Sequence, residues 1–229
     1  TDSEGVAGLT INLAPGTYDI NATLNSAKYG EAFTNATITV DKGEANLSAD
    51  NLVMSYKDGS GWEVTLTNVN GDFISGVNIA FGIKGSTYTV KTDANGTAKL
   101  PINLAVGTYD INATFAGNKY YSDAFVNATV TVEKAVATLS AADLVMSYKD
   151  GSVWAVTLTD AKGNALSGAT VTFGINDATY NVKADADGVA KLPINLAIGT
   201  YDVTATLNNA NYEAEPITKD VIFTAVYEK

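Results

Sequence analysis

Cysteine, histidine, arginine and glutamine are all missing from this 229-residue chain. Without cysteine there is neither a disulfide nor a thiolate metal site. Small exported domains often use disulfides, so either the lineage does not rely on them or the chain is stable without them. Without histidine the commonest general base and the commonest metal ligand go together. The 14 cations are therefore all lysine; set against 25 acids they leave a net charge of −11. An acidic, arginine-free surface argues against nucleic acid and anionic lipid, which need clustered cations to neutralise phosphates. No apolar run of about 18 residues exists, so no membrane-spanning helix is expected. No serine nucleophile elbow and no phosphate loop occur, and no carboxylate pair is singled out by its surroundings. An enzyme is not expected.

What is present is repetition. Met54 to Leu104 reappears as Met146 to Leu196, 92 residues later and without a gap. Leu52 to Ser60 and Leu144 to Ser152 are both Leu-Val-Met-Ser-Tyr-Lys-Asp-Gly-Ser. A partial copy opens the chain, where Ile11 to Asp19 follows the pattern of Ile102 to Asp110. The reading is a part-module at 1–43 and whole modules at 44–134 and 135–229. Such arrays supply length or multivalency. Because the chain opens inside a repeat, it is expected to be a piece of a longer protein, with any targeting segment outside it.

Within a module, apolar and polar residues alternate at period two. Trp62, Val64 and Leu66 face one way, with Glu63, Thr65 and Thr67 opposite. Turn signals such as Asn70-Gly71 and Lys84-Gly85 separate the runs. The pattern predicts about seven strands, at 46–56, 62–68, 76–83, 86–92, 97–104, 108–116 and 124–132. That is an all-β chain of tandem immunoglobulin-like antiparallel β-sandwiches arranged end to end. Trp62 and Trp154 read as core. Tyr109 and Tyr201, with Tyr18, follow Gly-Thr at the start of a late strand, where sandwiches place a tyrosine corner. The joints, at 40–44 and 132–136, are short and contain no proline, so a semi-rigid rod is expected.

Val156 to Phe173 carries Thr-Asp-Ala-Lys-Gly-Asn-Ala followed by Gly-Ala-Thr-Val-Thr-Phe. With Thr92 to Gly96 and Gly199 to Ala205, it resembles the bacterial Ig-like modules of intimin and invasin. The Met-Ser-Tyr-Lys-Asp-Gly-Ser block is closer to Ig-like repeats in adhesin-like surface proteins of methanogenic archaea. The resemblance implies a β-sandwich in an extracellular, cell-surface or cell-wall setting. Its partners would be other cells, or surface glycans and proteins, met through the full-length protein, with neighbouring modules of the same chain in contact.

Six Asn-x-Ser/Thr sequons, at Asn21, Asn35, Asn46, Asn95, Asn112 and Asn127, are glycosylation candidates. Asn112 is expected to alternate outward. In the last module Asp187, Thr204 and Lys219 stand where three of them would fall. Some surface Ig-like modules carry a Lys–Asn isopeptide cross-link, for which Lys57 and Lys149 are the candidates. Lys-Asp-Gly-Ser nevertheless reads better as a turn with an exposed amine. Asp93 to Gly96 and Asp185 to Gly188 look like the start of a calcium loop but lack its remaining ligands; tight Asx turns account for them better. No cofactor is expected beyond calcium at the module joints, near Glu44, Asp50 and Glu133. The stalk of a surface adhesin is the favoured role. The rivals are modules that bind glycan or protein by avidity, with Tyr120, Tyr121 and Tyr212 as loop-tip aromatics, and a filament subunit in which the part-module at 1–43 is completed by another chain.

Overall fold

The computed structural model describes residues 1–225. The last four residues of the predicted third module lie outside that range. Among the described residues there are strands and no helix. A hairpin of β1 (Gly16–Leu24) and β2 (Ala32–Val40) comes first. The middle repeat holds β3 (Ala45–Ser48), β4 (Leu52–Ser55), β5 (Gly61–Asn68), β6 (Asn78–Ile83), β7 (Ser86–Lys91), β8 (Thr97–Pro101), β9 (Gly107–Phe115) and β10 (Ala124–Glu133). The last repeat holds β11 (Ala135–Ser140), β12 (Leu144–Ser147), β13 (Val153–Asp160), β14 (Thr170–Ile175), β15 (Ala178–Lys183), β16 (Val189–Pro193), β17 (Gly199–Asn208), β18 (Tyr212–Glu213) and β19 (Ile217–Thr224). Each repeat forms an immunoglobulin-like pair of sheets. In the middle repeat the strand orders are β3-β5-β8 and β4-β10-β9-β6-β7; in the last they are β16-β13-β11-β18 and β12-β19-β17-β14-β15.

Two expectations are corrected. The single strand predicted at 46–56 is two strands, β3 and β4, which belong to different sheets. And the sheets are not purely antiparallel, because β4 runs parallel to β10, as β12 does to β19. Both have one cause: the first strand leaves one sheet after Ser48 and rejoins the other beside the last strand. The crossing is held by the Trp62 indole N–H, which donates to the Asp50 carbonyl at 2.7 Å, and by Asn51 Oδ1, which accepts the Thr129 N–H at 2.9 Å. In the last repeat the Trp154 indole donates to Ala142 at 2.9 Å, and Asp143 Oδ1 accepts from the Asp220 N–H.

By its contacts the chain divides into two compact units. One takes Thr1–Asn51, Trp62–Leu100 and Asp110–Thr129; the other takes Leu52–Gly61, Pro101–Tyr109 and everything from Val130 onward. In the second unit, Trp154, Val156 and Leu158 on β13 meet Val171 and Phe173 on β14 and Val203, Val221 and Phe223 behind them. Trp154 is 1% exposed and stands edge-on to Phe173 at 5.5 Å; Tyr201 stands edge-on to Phe223 at 5.7 Å. In the first unit Trp62 meets Phe81 in the same way at 5.7 Å. Edge-to-face packing puts the positive ring rim against a negative face, which adds to the burial of apolar area. The tyrosine corners close with their rings half-buried, Tyr201 packed against the Trp154 core. Tyr18, Tyr109 and Tyr201 each donate a hydroxyl to the carbonyl four residues earlier, at 2.7, 2.9 and 3.1 Å.

The turn before β16 is sterically tight. Gly188 has φ +75°, and a Cβ there would sit 2.6 Å from the Leu158 carbonyl oxygen, which is backbone and cannot move aside. Gly163 has φ +82° with nothing within 4 Å of such a Cβ. Gly163→Ala should therefore cost about 1 kcal/mol, the strain of left-handed backbone alone. Gly188→Ala should cost roughly 3 kcal/mol, because the clash is added. Denaturant unfolding of the two variants checks this; equal losses would contradict the steric account.

Candidate functional site

The identical nine-residue blocks place their polar groups where the chain leaves the parallel strand. After β4, the backbone turns at Lys57, which has φ +57°. Asp58 closes the turn: its Oδ2 accepts the Ser55 N–H at 2.9 Å and its Oδ1 accepts the Ser60 N–H at 2.8 Å. The second block repeats the arrangement, with Lys149 at φ +63° and Asp150 accepting from Ser147 and Ser152. The Lys57 ammonium lies 5.2 Å from the centre of the Tyr56 ring, and Lys149 lies at the same distance from Tyr148. Both lysines are thus exposed amines in turns, and no buried acid is seen beside them among the described contacts.

Within the second unit, the Tyr56 ring also receives the edge of Tyr212 at 5.4 Å and 90°. Tyr212 is presented by a turn in which Asn209 Oδ1 accepts the N–H groups of Asn211 and Tyr212. Asn211 holds two further backbone groups. Its carbonyl accepts the Ala135 N–H at 3.0 Å, and its side-chain oxygen accepts the Val106 N–H at 3.1 Å. β18 then runs parallel to β11, with Ala135 opposite Tyr212. A cleft of about 410 Å³ beside these rings is lined by Ser55, Lys57, Val136, Asp160, Lys162 and Asn164 among others. Asp160 spends both carboxylate oxygens on its own loop, taking the Lys162 and Asn164 N–H groups and the Asn164 amide.

Of the other predicted sites, Asn21 and Asn35 are exposed and face each other directly across β1 and β2. Asn46, Asn95 and Asn127 are exposed. Asn112 does point outward but is half-buried, its amide lying over Gly82, where a Cβ would come within 2.6 Å of its oxygen. Thr204 lies over Gly174 in the same way. The hairpin before β19 is one residue shorter than its counterpart: buried Val130 and Val132 correspond to buried Val221 and Phe223, 91 residues on. Thr218, opposite Thr204, therefore takes the place of Asn127, and Lys219 does not. In the calcium-like loops Asp93 Oδ1 accepts from Asn95 and Thr97, and Asp185 Oδ1 from Asp187 and Val189. These are Asx turns. Among the described residues no group of three acidic side chains is placed to hold a metal ion, and Glu44, Asp50 and Glu133 are exposed. Tyr120 is 52% exposed, whereas Tyr121 is half-buried against Gly43. Sequence reasoning missed Tyr56, Asn209 and Asn211. The available signal was an asparagine three residues before a tyrosine, found at Asn118 and Tyr121 as well as at Asn209 and Tyr212.

No protein-family model matches the chain. It is similar to an adhesin. The relative is the inverse autotransporter adhesin YeeJ of Escherichia coli (strain K12), 24% identical over an alignment 228 residues long that covers 90% of this chain and 10% of that protein. The chain thus spans about a tenth of that relative's length. Among solved structures, invasin, a bacterial integrin-binding protein, overlaps 80% of this chain and 39% of its own at 22% identity and a TM-score of 0.44. The adhesin InvE of Yersinia pseudotuberculosis overlaps 78% and 58% at 18% identity and 0.39. Scores this low carry no argument about function. The relatives named are bacterial, so the archaeal side of the resemblance finds no support in them.

The turn carboxylates share one direction of shift. Asp58 and Asp150 are held below the ordinary 3.8 chiefly by the N–H groups of Ser60 and Ser152, Asp160 by the Asn164 side-chain amide, and Asp185 by the Val189 N–H. A lowered folded-state pKa means that these groups stabilise the fold above the unfolded value and lose that contribution as pH falls through the folded one. The melting temperature should be flat from pH 7 to about pH 5 and fall below about pH 4. Asp160→Asn should lower it at neutral pH and leave it unchanged near pH 2, a difference that melts across the range would reveal; equal effects at both ends would contradict the linkage.

Proposed function

We propose that this chain is part of the stalk of a large extracellular, cell-surface adhesin, in which the repeats at 44–134 and 135–229 serve as spacing modules. The observation that carries the reading is what the repeated residues do. The blocks that recur letter for letter are turn blocks and core strands, and the turn aspartates spend both carboxylate oxygens on their own backbone. Such a unit supports itself and offers little to a soluble ligand. The similarity to an adhesin over nine-tenths of the chain points the same way. On this reading reach comes from the number of copies, and recognition belongs to regions outside them.

The test is dimensional. Small-angle X-ray scattering should show the maximum dimension rising by roughly 30–45 Å for each added copy of the repeat, since strands near nine residues span about 30 Å. A dimension that stays constant while mass grows would mean that the copies pack side by side, and the spacing role would be lost.

A further inference from the structure

We propose that the surface carrying Tyr148 and Ile198 is a docking site for a second copy of the sandwich built by residues 135–225, which enters by its Asn209–Tyr212 turn. The chain contains the occupied form of this site. Leu52 to Ser60 and Leu144 to Ser152 are identical in sequence and fold into the same turn, with the same aspartate hydrogen bonds and the same lysine over the tyrosine. They differ in what lies on them. Tyr56 is half-buried beneath Tyr212, and Val106 gives its N–H to Asn211. The corresponding Tyr148 and Ile198 are 46% and 63% exposed. The occupant is therefore named by the molecule itself.

The receiving turn needs no ordering before it docks, because Asp150 already closes it and Lys149 already sits over the ring. Little conformational entropy is then lost on contact. The patch is small, so linking the copy in the same chain is what raises its local concentration enough for occupancy. The giving and receiving faces are different surfaces, so each docked copy offers a fresh Tyr148, and the contact propagates instead of closing. The inference rests on the covering of Tyr56 and would stand even if the stalk reading failed.

Nitration by tetranitromethane, read by peptide mass spectrometry, tests it in the chain as it is and in one extended by a second copy of residues 135–229. In the first, Tyr148 should react several-fold faster than Tyr56. In the second, Tyr148 should slow to the Tyr56 rate, and the added copy's own Tyr148 should take over the fast one. Tyr212→Ala in the added copy should restore fast reaction at the first Tyr148. Asn211→Ala there, a milder change outside the core, should restore it in part. Undiminished reactivity of Tyr148 in the extended chain overturns the proposal. So does protection indifferent to both substitutions, which would mean that another surface covers the ring.

Discussion

One indole hydrogen bond governs where everything else in a repeat ends up. Trp62, and Trp154 after it, donates to a carbonyl twelve residues earlier, at the point where the first strand abandons one sheet for the other. A buried indole N–H left unpaired costs free energy, and so does a carbonyl turned inward. Satisfying both at one place fixes the crossing. The strand that emerges must lie parallel to the last strand, and its exit turn then stands at the edge of the sandwich instead of in its middle. Tyr56 and Tyr148 owe their positions to that.

The two kinds of repeated residue divide the work. Apolar ones close the interior: Trp154 meets Phe173 edge to face, Tyr201 meets Phe223 in the same way, and the outward alternates are left to solvent. Asparagines and aspartates close the turns by accepting backbone N–H groups two to four residues away, which locks loop geometry without a metal or a disulfide. A chain without cysteine or histidine has few other means of stiffening loops. That economy suits a unit meant to be copied.

Much of this was legible in the sequence. Period-two alternation placed β5, β6, β7 and β9 within a residue or two, and the inward tryptophans and the tyrosine corners lie where their spacing puts them. The sheet change was overlooked, although it leaves a trace. Leu47 and Met54 are both buried at an odd separation, which a single pleated strand forbids. The parity flips between Ser48 and Leu52, and the same flip separates Leu139 from Met146. The pairing of Tyr56 with Tyr212 was not legible, because no local pattern links residues so far apart. The partial burial of Asn112 was not legible either, because it depends on a missing side chain on another strand, at Gly82.

Trp154→Phe tests the governing hydrogen bond most directly, since it keeps an aromatic ring in the core while removing the N–H donor together with part of the indole's volume. Amide hydrogen exchange on this variant should accelerate selectively at Leu144–Ser147, where the crossed-over strand depends on the Ala142 anchor, with Val171 and Phe173 still protected. Uniform acceleration across the sandwich, or none at all, would contradict the account.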